Sequence, residues 1–192
     1  MTAKKVAPTS TFSIPGIHFN SPAILGFSIA AIAVHLLSFD NALAVPGRGS
    51  FHLDLVADYF RLISHVLGHG SWEHLFGNLT LLLLLGPILE DRYGTMELSL
   101  MMLATAIITG VANVLLSPYH LLGASGIVFM FITLASFVNI RNGTIPLTFI
   151  LIAIIFIGKE IHSALSVKDN ISQLAHIVGG IVGTWIGFRG KQ

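Results

Sequence analysis

The sequence contains no cysteine and few charged residues. Of its 192 residues, only 10% are Asp, Glu, Lys or Arg. The absence of cysteine excludes disulfides and thiolate metal sites. A soluble domain carries about 25% charged residues. The low charge, together with 54% hydrophobic residues, therefore predicts a membrane protein. A formal net charge of +1 gives no basic signature of nucleic-acid binding.

The apolar residues form six runs that suggest membrane-spanning helices, each of which needs about 20 apolar residues. The runs lie at about 22–39, 73–90, 95–117, 125–140, 145–165 and 171–188. The run after residue 21 lacks a convincing cleavage site, so we interpret it as a retained span rather than a signal peptide. These runs predict an all-α membrane protein, a six-transmembrane-helix bundle that forms one domain over 1–192.

The basic residues indicate how this bundle is oriented. Six spans place both termini on one side, and the side with more Lys and Arg is expected to be cytoplasmic. Cytoplasmic termini put six basic residues inside and four outside. The inside set is Lys4, Lys5, Arg92, Arg141, Arg189 and Lys191, and the outside set is Arg48, Arg61, Lys159 and Lys168.

The first loop, 40–72, is long enough to expect a structured or functional segment. Its apolar residues recur at helical spacing, while charged residues occupy other positions. This pattern predicts an amphipathic helix in the outer interface. An ordinary cap over the bundle is compatible with the same pattern. The apolar residues are Val56, Tyr59, Phe60, Ile63, Val66 and Leu67.

Polar residues near the starts of the second, fourth and sixth spans are candidates for function, because polar groups inside a membrane are costly. These spans run in the same direction, so Asn78, Ser125 and His176 are expected at similar depth. The 16 residues from Ser125 to Arg141 span roughly 24 Å, less than the ~30 Å hydrocarbon core. The backbone at 117–124 must then enter the membrane, which implies a water-filled cavity above Ser125.

Ser125 and His176 could form a catalytic dyad. A serine hydroxyl is a poor nucleophile until a base takes its proton, and His176 is the histidine placed deep in a late span. Two alternatives remain for His176: a hydrogen-bonded packing residue, or part of a transport path. No carboxylate is well placed as an orienting partner, since Asp169 falls in the preceding loop.

An acyl transfer also needs donors for the oxyanion. The side chains of His74 and Asn78 share a helical face, and they could supply donors together with the Ser125 N–H. Gly123 and Gly126 allow the sharp entry and close approach that such a site needs. An Asn within a span can also simply bond a neighbouring helix.

A stripe of small residues runs along the sixth span and would let a neighbouring backbone approach closely. If the fourth span packs there, Ser125 and His176 come within reach of each other, although such a stripe can also serve packing alone. The stripe is Ala175, Gly179, Gly183 and Gly187.

The histidines at 65, 69 and 74 raise the question of a metal site. His65 and His69 share a face if their segment is helical. The sequence has no H-E-x-x-H motif and no second acidic ligand motif in the spans. We therefore predict no metal and no cofactor.

Four motifs resemble those of the rhomboid family of intramembrane serine proteases, in the same order, across about 60–190. They are "HGSWEHLFGN" at 69–78, "EDRYG" at 90–94, "GASG" at 123–126 and "AHIVGGIVG" at 175–183. The six spans also match the minimal bacterial form.

The resemblance implies Ser125 as nucleophile, His176 as base, and His74, Asn78 and the Ser125 N–H as the oxyanion site. It implies Gly179 and Gly183 as a close packing contact. Phe129 stands where the family often has a tyrosine stacked on the catalytic imidazole, so stacking is kept and a phenol hydrogen bond is lost. Gly86-Pro87 replaces a common glycine pair. The residues implied as structural supports are Arg61, His65, His69, Glu90 and Arg92.

The sequence thus predicts a serine endopeptidase that cleaves in or near transmembrane segments of membrane proteins, within a lipid bilayer. Water would enter from the outer face, and the fifth span would be the gate for the substrate. The expected location is a bacterial inner membrane, with the site opening to the extracytoplasmic side. The alternative is a catalytically inactive rhomboid-like binding module. A channel with a histidine proton path would need polar residues in the inner half of the spans, which look apolar.

Overall fold

The computed structural model of the chain describes residues 20–140 and 172–189, and six isolated positions between them. Within these ranges it has seven α-helices, one 3-10 turn and no β-strand. Most of the predicted fifth span, 145–165, and the gate assigned to it lie outside the described residues. The helices are α1 Pro22–Leu36, α2 Asp40–Leu43, α3 Val56–Ser64, α4 Trp72–Tyr93, α5 Thr95–Leu116, α6 Ser125–Ile140 and α7 Ser172–Arg189, with the 3-10 turn at His65–Leu67.

Five of the predicted spans coincide with a helix. By length and apolar composition, α4 and α5 are able to cross a membrane, and α1, α6 and α7 contain shorter apolar stretches. The count of six spans and the cytoplasmic termini stay predictions. Helix α4, which corresponds to the second span, continues to Tyr93, beyond the predicted end at about 90. It ends there because the chain turns at Gly94, whose φ is +85°.

The helix of the first span ends three residues before the expected end of that span at about 39. Helix α1 ends at Leu36, because Ser38 adopts a positive φ of 58°. This left-handed conformation is uncommon for a residue other than glycine, and it turns the chain out of the helix. Asp40 then starts α2 beside the end of α1, where its carboxylate lies 3.0 Å from His35 Nδ1.

Glu90 joins the start of α1 to the junction between α4 and α5. Its carboxylate accepts hydrogen bonds from the backbone N–H groups of Ala23 (3.0 Å) and Ile24 (3.2 Å) and from the hydroxyl of Thr95 (2.8 Å). The first N–H groups of a helix have no acceptor within it, and an anion there is favoured by the helix dipole. Glu90 therefore acts as a distant N-cap for α1. Near it, Gly86 lets Ile24 approach, since a Cβ at Gly86 would lie 2.6 Å from Ile24 Cγ1.

The first loop contains the predicted amphipathic helix, α3, with its apolar side facing outward. Val56, Tyr59, Phe60 and Ile63 are exposed, whereas Asp58 is fully buried. A helix with this orientation is suited to a bilayer interface rather than to water. The predicted apolar positions Val66 and Leu67 do not belong to this helix: they lie in the following 3-10 turn, and Val66 is buried.

Helix α6 lies in the middle of the molecule. Its residues from Ile127 to Ala135 are largely buried on all sides, as is typical of a helix surrounded by protein. It packs against α4, α5 and α7. The loop before it, 117–124, pairs with the first loop through Val45 and Leu121, whose N–H and C=O groups exchange two hydrogen bonds of 2.9 and 3.0 Å. The start of α6 is therefore held by both loops.

Candidate active site

Ser125 is the first residue of α6 and is 5% exposed. Its backbone N–H belongs to the first turn, where N–H groups lack acceptors within the helix. Two residues earlier, Gly123 has a φ of +123°, which a residue with a side chain rarely adopts. The Gly123 N–H donates to the carbonyl of His65 over 3.0 Å. The first loop thus fixes the approach of the chain to the candidate nucleophile.

His176 lies in α7 and is 6% exposed. Its imidazole stacks on the ring of Phe129, with centroids 4.3 Å apart and an angle of 14° between the planes. Phe129 is four residues after Ser125, so both side chains project from the same face of α6. The structure therefore brings His176 to the face of α6 that carries Ser125.

Helices α6 and α7 touch through their backbones just beyond this pair. A Cβ added at Gly179 would collide with the carbonyl oxygen of Gly126, and one added at Gly183 would lie 2.5 Å from the carbonyl oxygen of Met130. The small-residue stripe of α7 thus faces α6. Such an approach is open to glycine because it has no side chain.

His74 and Asn78 lie one turn apart on one face of α4. Asn78 is 2% exposed, and its Nδ2 has no hydrogen-bond partner among the residues that the structure describes. A buried donor left unsatisfied costs about 1–3 kcal/mol. His74, one turn earlier on the same face, lies against Gly123: a Cβ on that glycine would be 2.6 Å from His74 Cε1. One possible oxyanion donor, His74, therefore borders the chain just before α6, and Asn78 lies one turn further along α4.

The residues implied as supports occupy different places. His65 is buried, with Nδ1 3.1 Å from the carbonyl of Arg61, and its Nε2 is 3.5 Å from Thr109 Oγ1. The ring of His69 lies edge-on to His74, with centroids 5.0 Å apart. Arg61 donates to the carboxylate of Asp58 and to the carbonyl of Ala42. These contacts hold the first loop together. Glu90 caps α1 as described above, while Arg92 is exposed.

Both buried histidines of the first loop favour the neutral form. Burial lowers the pKa of His65 from 6.5 to about 4. Burial, followed by the positive charge that His74 can carry, lowers the pKa of His69 to about 4. The condition under which these two residues would share a helical face is not met, because His65 lies in the 3-10 turn and His69 in the loop after it.

Two contributors to this region were missed by the sequence reasoning. Thr109 of α5 contacts both His65 and the backbone at Gly126, where a Cβ would lie 2.9 Å from its Cγ2. Asp40 accepts a hydrogen bond of 2.7 Å from the His69 N–H. Asp40 could have been singled out from the sequence, because it is a lone carboxylate directly after an apolar run. In residues 20–140 and 172–189, no three side chains of His, Asp or Glu are grouped to hold a metal ion.

A family model described as "Rhomboid domain" matches residues 56–191. The chain belongs to the rhomboid family. Similar rhomboid proteins include rhomboid protease GluP of Bacillus subtilis (strain 168), 30% identical over 80% of this chain and 33% of that protein. Rhomboid-related protein 2 of Mus musculus is 32% identical over 67% of the chain and 47% of its own length. Rhomboid-related protein 1 of Caenorhabditis elegans is 27% identical over 74% of this chain and 43% of its own length.

Membership supports an intramembrane protease function at the level of the rhomboid family, whose proteins are membrane-integral. The chain spans less than half the length of each of these three relatives.

Proposed function

We propose that this rhomboid chain is a serine endopeptidase that cleaves transmembrane proteins within the bilayer, with Ser125 and His176 as a catalytic dyad. The observation that carries the proposal is the stacking of His176 on Phe129, one turn beyond Ser125. Three observations on separate elements add support: the glycine contact between α6 and α7, the start of a helix at Ser125, and the unsatisfied Asn78 amide.

The proposed reaction proceeds by covalent catalysis. His176 takes the proton from the Ser125 hydroxyl as the oxygen attacks the substrate carbonyl, and a tetrahedral intermediate forms. The negative charge on its oxygen is stabilised by the Asn78 amide, the His74 imidazole and the Ser125 N–H. His176 then gives its proton to the leaving amine, and water hydrolyses the acyl-enzyme by the same steps.

The substrate is a transmembrane segment that enters laterally and unwinds locally, since the peptide bonds of an intact helix are inaccessible to Ser125. Water reaches the site from the outer face through the predicted cavity. The protein is proposed to reside in a bacterial inner membrane, with its site open to the extracytoplasmic side.

The test is cleavage of a fluorescently labelled single-pass membrane protein by the purified chain in detergent and in proteoliposomes. We expect cleavage by the wild type, with undiminished rate in excess chelator. Binding of the reporter with no cleavage in either medium would overturn the proposal in favour of an inactive binding module. Loss of activity in chelator that zinc restores would overturn the serine mechanism.

A further inference from the structure

The carboxylate of Asp40 lies beneath the turn that leads into α4. Its Oδ1 accepts the His69 N–H at 2.7 Å, and its Oδ2 lies 3.0 Å from Nδ1 of His35 at the end of α1. The side chains of Asp40 and His35 are only 13% and 11% exposed. Asp40 therefore connects the end of the first span to the backbone at His69.

The backbone next to His69 is held against Asp40 as well. A Cβ at Gly68 would lie 3.1 Å from the carbonyl oxygen of Asp40 and 2.5 Å from Leu122 Cδ1. The chain at 68–69 can thus move little while Asp40 keeps its place. Two residues further on, Ser71 caps α4 by accepting the His74 N–H at 3.2 Å.

The ring of His69 contacts the ring of His74. The two imidazoles meet edge-on, with centroids 5.0 Å apart at 72°. The His74 ring also lies against Gly123, two residues before Ser125. A shift of the His69 backbone would therefore move the His69 ring relative to the His74 ring that it contacts.

We propose that Asp40 is a positioning residue that sets the His74 imidazole, and with it the oxyanion side of the site, through the backbone of His69. This inference rests on the proposed function, because it takes His74 to be an oxyanion donor. A charged acceptor makes a hydrogen bond roughly twice as strong as a neutral one. Burial alone raises the pKa of Asp40, but the His69 N–H and His35 outweigh it, and the pKa lies below 3.8.

The test is a double-mutant cycle between Asp40→Ala and His74→Ala, with Asp58→Ala as the matched control. Asp58 is also a buried carboxylate of the first loop; it accepts the His52 N–H at 2.8 Å and pairs with Arg61, and neither of these contacts involves His74. We expect Asp40→Ala to lower kcat roughly 10- to 100-fold with little change in KM, as a displacement of up to ~1 Å would. In the His74→Ala background it should cause no further loss.

Asp58→Ala should lower kcat by the same factor with and without His74, because it acts on the stability of the loop. If Asp40→Ala also shows equal factors in both backgrounds, Asp40 is a general structural residue and the proposal is overturned. Should Asp40→Ala fail to fold, Asp40→Asn replaces it in the cycle. The Asn oxygen still accepts the His69 N–H, so we expect a smaller loss that again disappears without His74.

Two measurements need no activity and separate this inference from the proposed function. In Asp40→Ala, the amide of His69 should exchange hydrogen faster and the 15N imidazole shifts of His74 should change. Neither should occur in Asp58→Ala. If the wild type cleaves nothing while these changes appear, the proposed function fails and the coupling of Asp40 to His74 through His69 stands. If both signals are unchanged in Asp40→Ala, that coupling is refuted, whatever the activity.

Discussion

At the scale of single residues, the proposed site comprises three buried polar side chains from three helices. Ser125, His176 and Asn78 are each at most 6% exposed. Buried polar groups are costly unless they are hydrogen-bonded, and the Asn78 amide is unsatisfied among the described residues. In the proposed reaction, an oxyanion at Ser125 would satisfy the Asn78 amide and so offset its cost in the resting protein.

Ser125→Ala and His176→Ala should each abolish cleavage, and the double variant should lose no more than either one. Groups that act as one unit are non-additive. The measurement is turnover of the labelled reporter, with Ser136→Ala as control because that hydroxyl donates to Ile132 within α6. If the fold losses of turnover in the two single variants multiply in the double variant, the two residues do not act as a dyad.

Asn78→Ala should lower kcat with little change in KM. Loss of one oxyanion donor typically costs about 10²–10³ in kcat, and we expect the lower end because His74 and the Ser125 N–H remain. Thr80→Ala, on an exposed face of the same helix, is the control. A loss confined to KM would make Asn78 a substrate-binding residue instead.

At the scale of helices, the approach of α7 to α6 decides whether the dyad can form. The four-residue spacing of small residues predicted this contact from the sequence, and α6 begins and ends where the apolar run at 125–140 does. The end of α1 could not be predicted in this way, since it depends on the positive φ of Ser38 and on the pairing of Asp40. Both are set by tertiary contacts that no local pattern displays.

Gly179→Ala should lower turnover roughly 100-fold, because its Cβ would collide with Gly126 and displace α7 by an ångström or so. The melting temperature should also fall, as overpacking costs roughly 1–3 kcal/mol. The matched control is Gly180→Ala in the same turn, where a Cβ has room, 3.8 Å from Thr133 Cγ2. Both variants gain the same helix propensity, so equal activities would show that α7 does not approach α6 at Gly179.

At the scale of the whole molecule, the first loop and the turn before α4 depend on neutral histidines. His65 links Arg61, Thr109 and Gly123, and His69 links the turn before α4 to Asp40. The motif at 69–78 identified this region from sequence. The contacts that residues 69–78 make with residues 40–65 could not be predicted from the sequence pattern. They form only when the first loop folds.

The free energy of unfolding should fall as the pH drops from 6.5 toward 4. In this window the unfolded chain binds protons at His65 and His69, whereas the folded chain, with both pKa values at about 4, does not. At pH 5 each histidine should cost about 2 kcal/mol. Thermal unfolding between pH 7 and 5 measures this effect. His65→Gln and His69→Gln should each flatten the dependence, and slopes equal to that of the wild type would contradict it.

The capping of α1 by Glu90 has a consequence for how the chain is made. The carboxylate follows the backbone groups that it binds by 66 and 67 residues. During synthesis, the first turn of α1 must therefore leave the ribosome and meet the membrane long before its acceptor exists. Until Glu90 has been translated, water or lipid head groups must accept those hydrogen bonds. Docking of α1 onto Glu90 is thus a late event in biogenesis, because the junction between α4 and α5 must be synthesised first.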